Sequence, residues 1–373
     1  MESNGANGSG PKIGQTYNNA TIKPTQSYQF VPRSSIIGPK NMGNLNNAAE
    51  GAADKTRLRI FLVAPRGFCA GVKMAVECLD QIVSTHSGPI YAYHQIVHNN
   101  QVVMSFERRG VIFVDDIDRV PAGGTVVLSA HGVAPQVYQG ARKLGLNVID
   151  ATCPLVMKVH LEARRFAAEG LSIVLIGHRG HDEVVGIEGE ARGFVQVIES
   201  CEDIDRLHIP DPDRVAVLTQ TTLSVDETKA MLAKLKSRFP NMRVPHKDDI
   251  CYATQNRQEA LRSVLPDSQL ALILGSRNSS NAQRLREVAR HLGVASYLIE
   301  RPEQINLEWL TGVGSLALSS GASVPEELVT EILSWLAQRF ALKIEDRVSK
   351  SETVSFVMPA SVPGSPRLIP ISD

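Results

Sequence analysis

The sequence predicts an α/β fold made of three repeated α/β lobes whose sheets are mostly parallel. Short apolar runs rich in β-branched residues alternate with amphipathic stretches, which favours strands and helices joined by right-handed crossovers. The runs are almost continuously apolar, as parallel strands buried on both faces are. Three cysteines at similar strand-to-helix junctions mark an approximate internal repeat. The apolar runs are IFLVA (60–64), GTVVLSA (124–130), LSIVLIG (171–177), RVAVLT (214–219), LALILG (270–275) and GSLALSS (314–320).

Helices are predicted where apolar residues recur with helical spacing between these runs. Each such stretch is long enough for a crossover between parallel strands. The stretches are AGVKMAVECLDQIVS, PLVMKVHLEARRFAAEG, SVDETKAMLAKLKSRF, NAQRLREVARHLG and PEELVTEILSWLAQRF.

The composition is that of a globular protein without an overall electrostatic preference. The chain has 373 residues, of which 43% are hydrophobic and 21% charged, and 39 basic residues balance 39 acidic ones. This length indicates roughly two or three domains, and zero formal charge gives no general attraction to nucleic acid or to a membrane surface. No run reaches the ~18 apolar residues of a membrane span. Five cysteines without a secretory leader indicate reduced thiols and a cytoplasmic protein.

Both ends of the chain are predicted to lie outside the lobes. Residues 1–56 are rich in Asn, Gly, Ser and Pro and lack periodic hydrophobicity, which predicts a disordered extension. Residues 341–373 close with VMPASVPGSPRLIPISD, and its prolines predict an extended segment that crosses a surface or stays loose.

Polar residues cluster directly after five of the predicted strands. In open parallel sheets, ligands bind beyond the carboxyl ends of the strands, where helix N-termini present free N–H groups. Ser, Thr and Asn are also ordinary helix caps, so one such loop is weak support for a site. Five of them together indicate a shared pocket for an anion. They are AHG (130–132), GHRGHDE (177–183), TQTTLS (219–224), GSRNSSN (275–281) and SGAS (320–323).

Cys69, Cys153 and Cys251 each stand where a strand leads into a helix. Thiolates bind iron–sulfur clusters and zinc, and three of them on one centre would leave a coordination position open. The alternative is that they are buried free cysteines that pack as small hydrophobic residues. Cys78 and Cys201 lack this setting and are interpreted as structural.

Histidines and one glutamate add chemistry to the same loops. His98, His131, His178 and His181 are possible zinc ligands or helix caps, but beside the Ser, Thr and Asn loops they suit phosphate recognition. Glu183 is either a solvated carboxylate or, in a pocket that raises its pKa, a candidate proton donor.

Nine motifs in order give the chain a clear resemblance to a known family. They are PRGFCAGV, HN, SAHGV, DATCPLVMKVH, GHRGHDEVVG, TQTTLSVDET, DDICYATQNRQEA, GSRNSSNAQRL and SGASVPEELV. From about Arg59 to about Phe340, the chain resembles the 4-hydroxy-3-methylbut-2-enyl diphosphate reductases, iron–sulfur enzymes of the methylerythritol phosphate route to isoprenoids.

The resemblance implies three lobes, residues 57–153, 154–250 and 251–340, around one central [4Fe–4S] cluster per chain. The first strand is then a candidate to pack with the third lobe. By position, Cys69, Cys153 and Cys251 match the cluster ligands, and the remaining iron is open to the substrate hydroxyl. Glu183 and Thr221 match the pair that passes a proton to the departing hydroxyl. The positions that match diphosphate binding are His98, His131, His181, Thr221, Ser279, Ser280, Asn281 and Ser323.

The implied reaction is reductive dehydroxylation of (E)-4-hydroxy-3-methylbut-2-enyl diphosphate to isopentenyl and dimethylallyl diphosphate. The electrons would come from a ferredoxin or flavodoxin, and the chain would act as a monomer or homodimer. Two other readings stay open: a zinc enzyme acting on a phosphorylated substrate, and a cluster-bearing sensor that binds a diphosphate without converting it.

The chain departs from the family pattern at Asp182, where proline is usual, and at Ile187. A second carboxylate beside Glu183 predicts that repulsion raises the pKa of one of them if both face the pocket. The alternative is that Asp182 points to solvent.

Overall fold

The structure, a computed structural model, describes residues 55–245 and 249–362. The predicted disordered extension 1–56 therefore lies almost wholly outside the described residues, as does the end of the predicted C-terminal segment. Within the described ranges the chain alternates strands and helices. The strands are β1 Arg57–Ala64, β2 Ile90–Tyr93, β3 Val111–Val114, β4 Thr125–Leu128, β5 Asn147–Asp150, β6 Ser172–Ile176, β7 Val195–Ile198, β8 Val215–Thr219, β9 Leu270–Leu274, β10 Ala295–Ile299, β11 Ser315–Ser320 and β12 Ala341–Val348.

The helices follow the strands much as the amphipathic pattern predicted. Short 3₁₀ turns occupy Ile117–Arg119, Leu265–Asp267, Pro302–Gln304 and Leu307–Leu310. The α-helices are α1 Ala70–Thr85, α2 Asn100–Glu107, α3 Pro135–Lys143, α4 Pro154–Ala168, α5 Asp182–Glu190, α6 Cys201–Asp205, α7 Val225–Arg238, α8 Tyr252–Val264, α9 Ser280–His291 and α10 Glu326–Ala337.

The strands form three separate parallel sheets, which confirms the predicted α/β class with mostly parallel sheets. The first sheet has the order β3-β2-β4-β5, the second β7-β6-β8, and the third β10-β9-β11-β1-β12. Every pairing between named strands in the described ranges is parallel.

Each sheet is buried on both faces, which explains the continuous apolar runs. In β9, Leu270, Leu272 and Leu274 pack into one apolar cluster. The alternate residues Ala271 and Ile273 pack into another on the opposite face. Because successive side chains of a strand point to opposite faces, a strand between two helical layers must be apolar at every position.

Each sheet also has a point where the chain order reverses, and the polar loops lie there. In the first sheet, β2 connects to β3 on one side while its other neighbour β4 leads to β5. The same reversal falls between β6 and β8 in the second sheet and between β9 and β11 in the third. Such switch points open a crevice at the carboxyl ends of the strands, where ligands bind.

Strands from the two ends of the described chain complete the third sheet. Strand β1 pairs with both β11 and β12. The predicted boundary at residue 340 is therefore too early for the third sheet, because Ala341–Val348 is an edge strand rather than a segment outside the lobes. Its sequence, ALKIEDRV, has four charged residues and only Leu342 is buried, as suits a strand at the exposed edge of a sheet.

The segment after β12 runs back across the molecule. Glu352 accepts hydrogen bonds from Asn256 and Arg257 of α8. Further on, Val362 is buried in the apolar cluster of the first sheet. The described part of the C-terminal segment is thus extended and packed against a surface, one of the two outcomes predicted from its prolines.

Candidate active site

The three cysteines share one structural position, the residue that caps the N-terminus of a helix. Cys69 precedes α1, Cys153 precedes α4, and Cys251 precedes α8. The backbone at the start of each helix acts to lower the pKa of the thiol, although none of the three sulfurs accepts a cap hydrogen bond. A helix N-terminus carries a partial positive charge, so this position favours the thiolate form that metal ions bind.

Burial acts against ionisation of the same thiols. It raises the pKa of Cys69, that of Cys153 to about 12 and that of Cys251 to about 11, and the neighbouring cysteines raise the last two further. Buried thiols with raised pKa values are poor nucleophiles. They become thiolates when a metal replaces the proton.

The packing around the sulfurs requires a glycine. A Cβ atom added at Gly71 would lie 2.5 Å from the Cys153 sulfur, so the first turn of α1 reaches the second cysteine only because residue 71 has no side chain. The site thus brings two of the cysteine-bearing helix ends into direct contact.

The three cysteine sulfurs line one cavity. Thiolates are ligands both for zinc and for iron–sulfur clusters. The donor set fits either group.

The residues that match the family's site line a single cavity, whereas His178, also predicted from the sequence to suit phosphate recognition, does not line it. The empty space between its walls, part of which opens to solvent, is about 720 Å³. The predicted residues on its wall are Cys69, His98, His131, Cys153, His181, Glu183, Thr221, Cys251, Ser279, Ser280, Asn281 and Ser323.

Three histidines form a buried group on this wall. The rings of His98 and His131 stack with centroids 3.8 Å apart, and His181 meets both rings edge-on. Burial lowers the pKa of all three imidazoles, that of His181 to about 3. They are neutral at pH 7 in the absence of an anion, and an anion nearby would raise each pKa again.

The polar residues of the third sheet fix the loops of the cavity to one another. Ser323 Oγ donates to the backbone oxygen of His98 across 3.0 Å. Ser280 Oγ donates to the Thr222 oxygen at 3.0 Å, and Asn281 Oδ1 accepts from the Ala322 N–H at 3.0 Å. These bonds join loops from all three sheets at one cavity.

Glu183 is fully buried and held by Thr221 through both of its oxygens. The Thr221 backbone N–H donates to Oε1 at 2.7 Å, and its hydroxyl donates to Oε2 at 3.0 Å. Burial raises the pKa of Glu183 to about 7, although the bonds from Thr221 lower it, and the charge of Asp249 adds a further increase. A carboxyl group with this pKa exchanges protons at neutral pH.

The condition for repulsion between Asp182 and Glu183, that both carboxylates face the pocket, is not met, because Asp182 does not line it. Asp182 accepts a hydrogen bond of 2.7 Å from His94 Nδ1 and is only 21% exposed. Burial alone would raise the pKa of Asp182, but the hydrogen bond from His94 and the neighbouring histidines lower it on balance. Asp182 faces the first sheet, so neither repulsion nor a solvent position describes it.

Sequence reasoning missed several residues at the cavity. Thr254 Oγ1 lies 3.1 Å from the Cys251 sulfur and accepts from Asn281 Nδ2 at 3.2 Å. Its position, three residues after the cysteine that caps α8, is a signal that could have found it. Phe356 lines the cavity from the C-terminal segment and has no local signal.

Fold and cavity together define an α/β enzyme that combines three partly buried thiols with O–H and N–H donors suited to an anionic ligand. A protein-family model described as "LytB protein" matches residues 60–337 of this chain. The chain therefore belongs to the LytB family, as its motifs indicated.

Similar proteins carry the name that the motifs predicted. A relative from Acidothermus cellulolyticus, "4-hydroxy-3-methylbut-2-enyl diphosphate reductase", is 50% identical over 302 residues, which are 81% of this chain and 89% of its own. A relative of the same name from Mycobacterium ulcerans is 48% identical, over 82% of this chain and 93% of its own.

Solved structures agree with the fold. The Plasmodium falciparum "E-1-hydroxy-2-methyl-but-2-enyl-4-diphosphate reductase" has a TM-score of 0.78 and 35% identity over 82% of this chain and 96% of its own. A second reductase, described as the terminal enzyme of the non-mevalonate pathway, has a TM-score of 0.54 and 32% identity over 75% and 99%. The resemblance to this reductase family is confirmed. None of the helices in the described part of the chain combines the length and apolar character of a membrane span.

Proposed function

We propose that the protein removes the hydroxyl group of (E)-4-hydroxy-3-methylbut-2-enyl diphosphate by reduction and releases isopentenyl and dimethylallyl diphosphate. The observation that carries this proposal is one cavity lined by three thiols, three histidines and a buried carboxyl group held by a threonine. The names of relatives that are about half identical support the substrate and the reaction.

Cys69, Cys153 and Cys251 would hold one [4Fe–4S] cluster per chain. When bound, the cluster supplies electrons one at a time and a Lewis-acidic iron that lacks a protein ligand. The chain itself contributes the wall of the cavity, on which the three partly buried cysteines lie together.

The histidines, serines and asparagine would bind the diphosphate. His98, His131 and His181 are neutral before the anion enters, because burial lowers their pKa values. The negative charge of the diphosphate raises these pKa values, so binding draws protons onto the imidazoles and makes the hydrogen bonds charge-assisted. Ser279, Ser280, Asn281 and Ser323 line the same cavity. They would supply neutral donors once the hydroxyls of Ser280 and Ser323 turn from the backbone oxygens of Thr222 and His98 to the anion.

Glu183 would supply the proton that turns the departing hydroxyl into water, through the hydroxyl of Thr221. With Glu183 ionised, the Thr221 hydroxyl donates to it. With Glu183 protonated, the bond reverses, and the Thr221 hydroxyl hydrogen turns toward the cavity. The Thr221 N–H holds the other carboxylate oxygen in place throughout. A pKa of about 7 keeps both forms populated at neutral pH.

A ferredoxin or flavodoxin would deliver the electrons. The cysteines at the site are free thiols, which favours a location in the cytoplasm, where thiols stay reduced.

The test is anaerobic iron and acid-labile sulfide analysis coupled to a product assay. Iron and sulfide in the amounts of one cluster per chain, with release of both isomers by the reduced protein, are expected. Zinc without sulfide would support the zinc alternative, and substrate binding without turnover would support the sensor. Glu183→Gln should keep the cluster and lose most activity, and full activity in this variant would refute the proton path.

A further inference from the structure

Two residues outside the cavity wall stand directly behind its histidines. His94 lies in the loop after β2 and Asp182 begins α5, so their hydrogen bond joins the first sheet to the helix that carries Glu183. The second carboxylate oxygen of Asp182 lies 4.0 Å from Nε2 of His98. Neither His94 nor Asp182 lines the cavity.

His94 has an uncommon backbone conformation. His94 has φ = 56°, and it is the one residue other than glycine in the described ranges with positive φ. A histidine in this region is unusual and is held by its surroundings. Its ring stacks on Tyr93 at 4.2 Å, and its Nδ1 is directed at Asp182.

The His98 ring lies near the Asp182 carboxylate but is not hydrogen-bonded to it. Both of its ring nitrogens are buried, and neither has a hydrogen-bond partner within the described residues. Burial lowers the pKa of His98, the charge of Asp182 raises it, and the charge of His94 lowers it. The side chains of Asp182 and His94 therefore act on His98 in opposite directions.

We propose that Asp182 is a positioning residue for the substrate, which with His94 fixes the charge beside the His98 imidazole that binds the diphosphate. His94 and Asp182 form an ion pair, because their hydrogen bond raises the pKa of His94 and contributes to lowering that of Asp182. Asp182 then stabilises the protonated form of His98 when the anion binds, and His94 limits this effect. The inference rests on the proposed function of the cavity.

Other titratable groups also face these residues and enter the pH dependence. They are His131 and His181 against His98, Tyr93 and Asp115 against His94, and His181 and Tyr93 against Asp182. The variants below leave all of them in place, so differences between variants report on the His94–Asp182 pair.

The test measures binding of inorganic pyrophosphate to the anaerobic holoenzyme by calorimetry across pH, together with KM and kcat. Asp182→Asn removes the negative charge, so pyrophosphate binding should weaken on the order of tenfold near pH 7, as a change of one unit in the pKa of His98 produces. KM should rise while kcat changes little, because Asp182 does not touch the reacting atoms. Asp182→Glu should restore most of the affinity.

His94→Asn should act in the opposite direction. Asparagine tolerates the left-handed backbone of residue 94. The substitution removes the positive charge of His94, so the charge of Asp182 alone then raises the pKa of His98. Pyrophosphate binding should then persist to higher pH than in the parent. Glu188→Gln removes a charge from the same helix without a role in this group, and its binding curve should match the parent.

The outcomes separate this inference from the proposed function. If the parent fails to convert the allylic diphosphate, the proposed function fails. If the parent is active but Asp182→Asn binds pyrophosphate like Glu188→Gln, the positioning role is refuted. The positioning role is also refuted if Asp182→Asn and His94→Asn shift the pH dependence of pyrophosphate binding in the same direction. It is refuted as well if both Asp182 variants fold but Asp182→Glu binds pyrophosphate no better than Asp182→Asn.

Discussion

Replacing Thr221 by valine isolates one hydrogen bond at the proposed proton donor. The Thr221 hydroxyl donates to Oε2 of Glu183 at 3.0 Å, while the backbone N–H donates to Oε1 at 2.7 Å. Valine has nearly the shape of threonine and leaves the backbone bond intact. The substitution therefore removes the hydroxyl and changes little else in this buried site.

The size of the effect follows from the bond that is lost. Burial raises the pKa of Glu183 to about 7, and the bonds from Thr221 lower it. A hydrogen bond to a charged group contributes about 1.5–3 kcal/mol, so its loss should raise the pKa of Glu183 by roughly one to two units. If the hydroxyl also passes the proton, kcat should fall by about 10²–10⁴-fold at every pH.

The assay is kcat at saturating substrate from acidic to alkaline pH, with anaerobic protein of known iron content. The alkaline limb, where the proton donor is lost, should move to higher pH in Thr221→Val. Thr222→Val is the matched control, because its hydroxyl accepts from Gln220 Nε2 at 3.0 Å instead of contacting Glu183, and its limb should stay at the parent position. A Thr221→Val limb at the parent pH would refute the reasoning.

Three further predictions concern stability and cluster loading. Because the pKa of Glu183 is raised from 4.5 to about 7, the stability it contributes is present below about pH 4.5 and is lost as the pH rises to about 7. In denaturant titrations, the free energy of unfolding of Glu183→Gln should exceed that of the parent by up to roughly 3 kcal/mol at about pH 8 and equal it at about pH 4. A difference that does not change with pH would contradict this. Gly71→Ala should lower iron and sulfide per chain, since its Cβ would lie 2.5 Å from the Cys153 sulfur, and full loading would show that the helix end can shift. Arg257→Met removes the buried partner of Glu352, which lies 3.1 Å away, and should lower the free energy of unfolding by about 3–5 kcal/mol. Adding Glu352→Gln to this variant should recover part of the loss. If the effects of the two substitutions simply add, the two side chains are not directly coupled.

The strands that sequence alone predicted share one physical property. The six apolar runs correspond to β1, β4, β6, β8, β9 and β11, each of which has a neighbour on both sides or lies beside a switch point. Burial on both faces makes such strands continuously apolar and therefore visible. Strand β12 was missed as part of the third sheet because Lys343 and the consecutive charged residues 345–347 interrupt its apolar residues at the edge of the sheet.

The site residues were predictable as a set because parallel sheets collect them at one edge. His98 and His131 follow the two strands at the switch point of the first sheet, and Glu183 and Thr221 do the same in the second. Polar loops directly after the predicted strands indicate in the sequence that these side chains meet at one edge of a sheet. What the sequence could not give is which loops meet, since Ser323 reaching the backbone of His98 joins residues far apart in the chain.

Asp182 shows where reasoning from neighbours in the chain fails. Adjacent carboxylates predict repulsion, but consecutive residues at a helix start point about 100° apart. Glu183 consequently turns inward to Thr221, where burial raises its pKa to about 7, while Asp182 turns to His94, which lowers its pKa. Two acids whose environments drive their pKa values apart take different roles. Here Glu183 has the pKa of a group that can give up a proton at neutral pH, and Asp182 stays charged beside the histidines that we propose bind the anion.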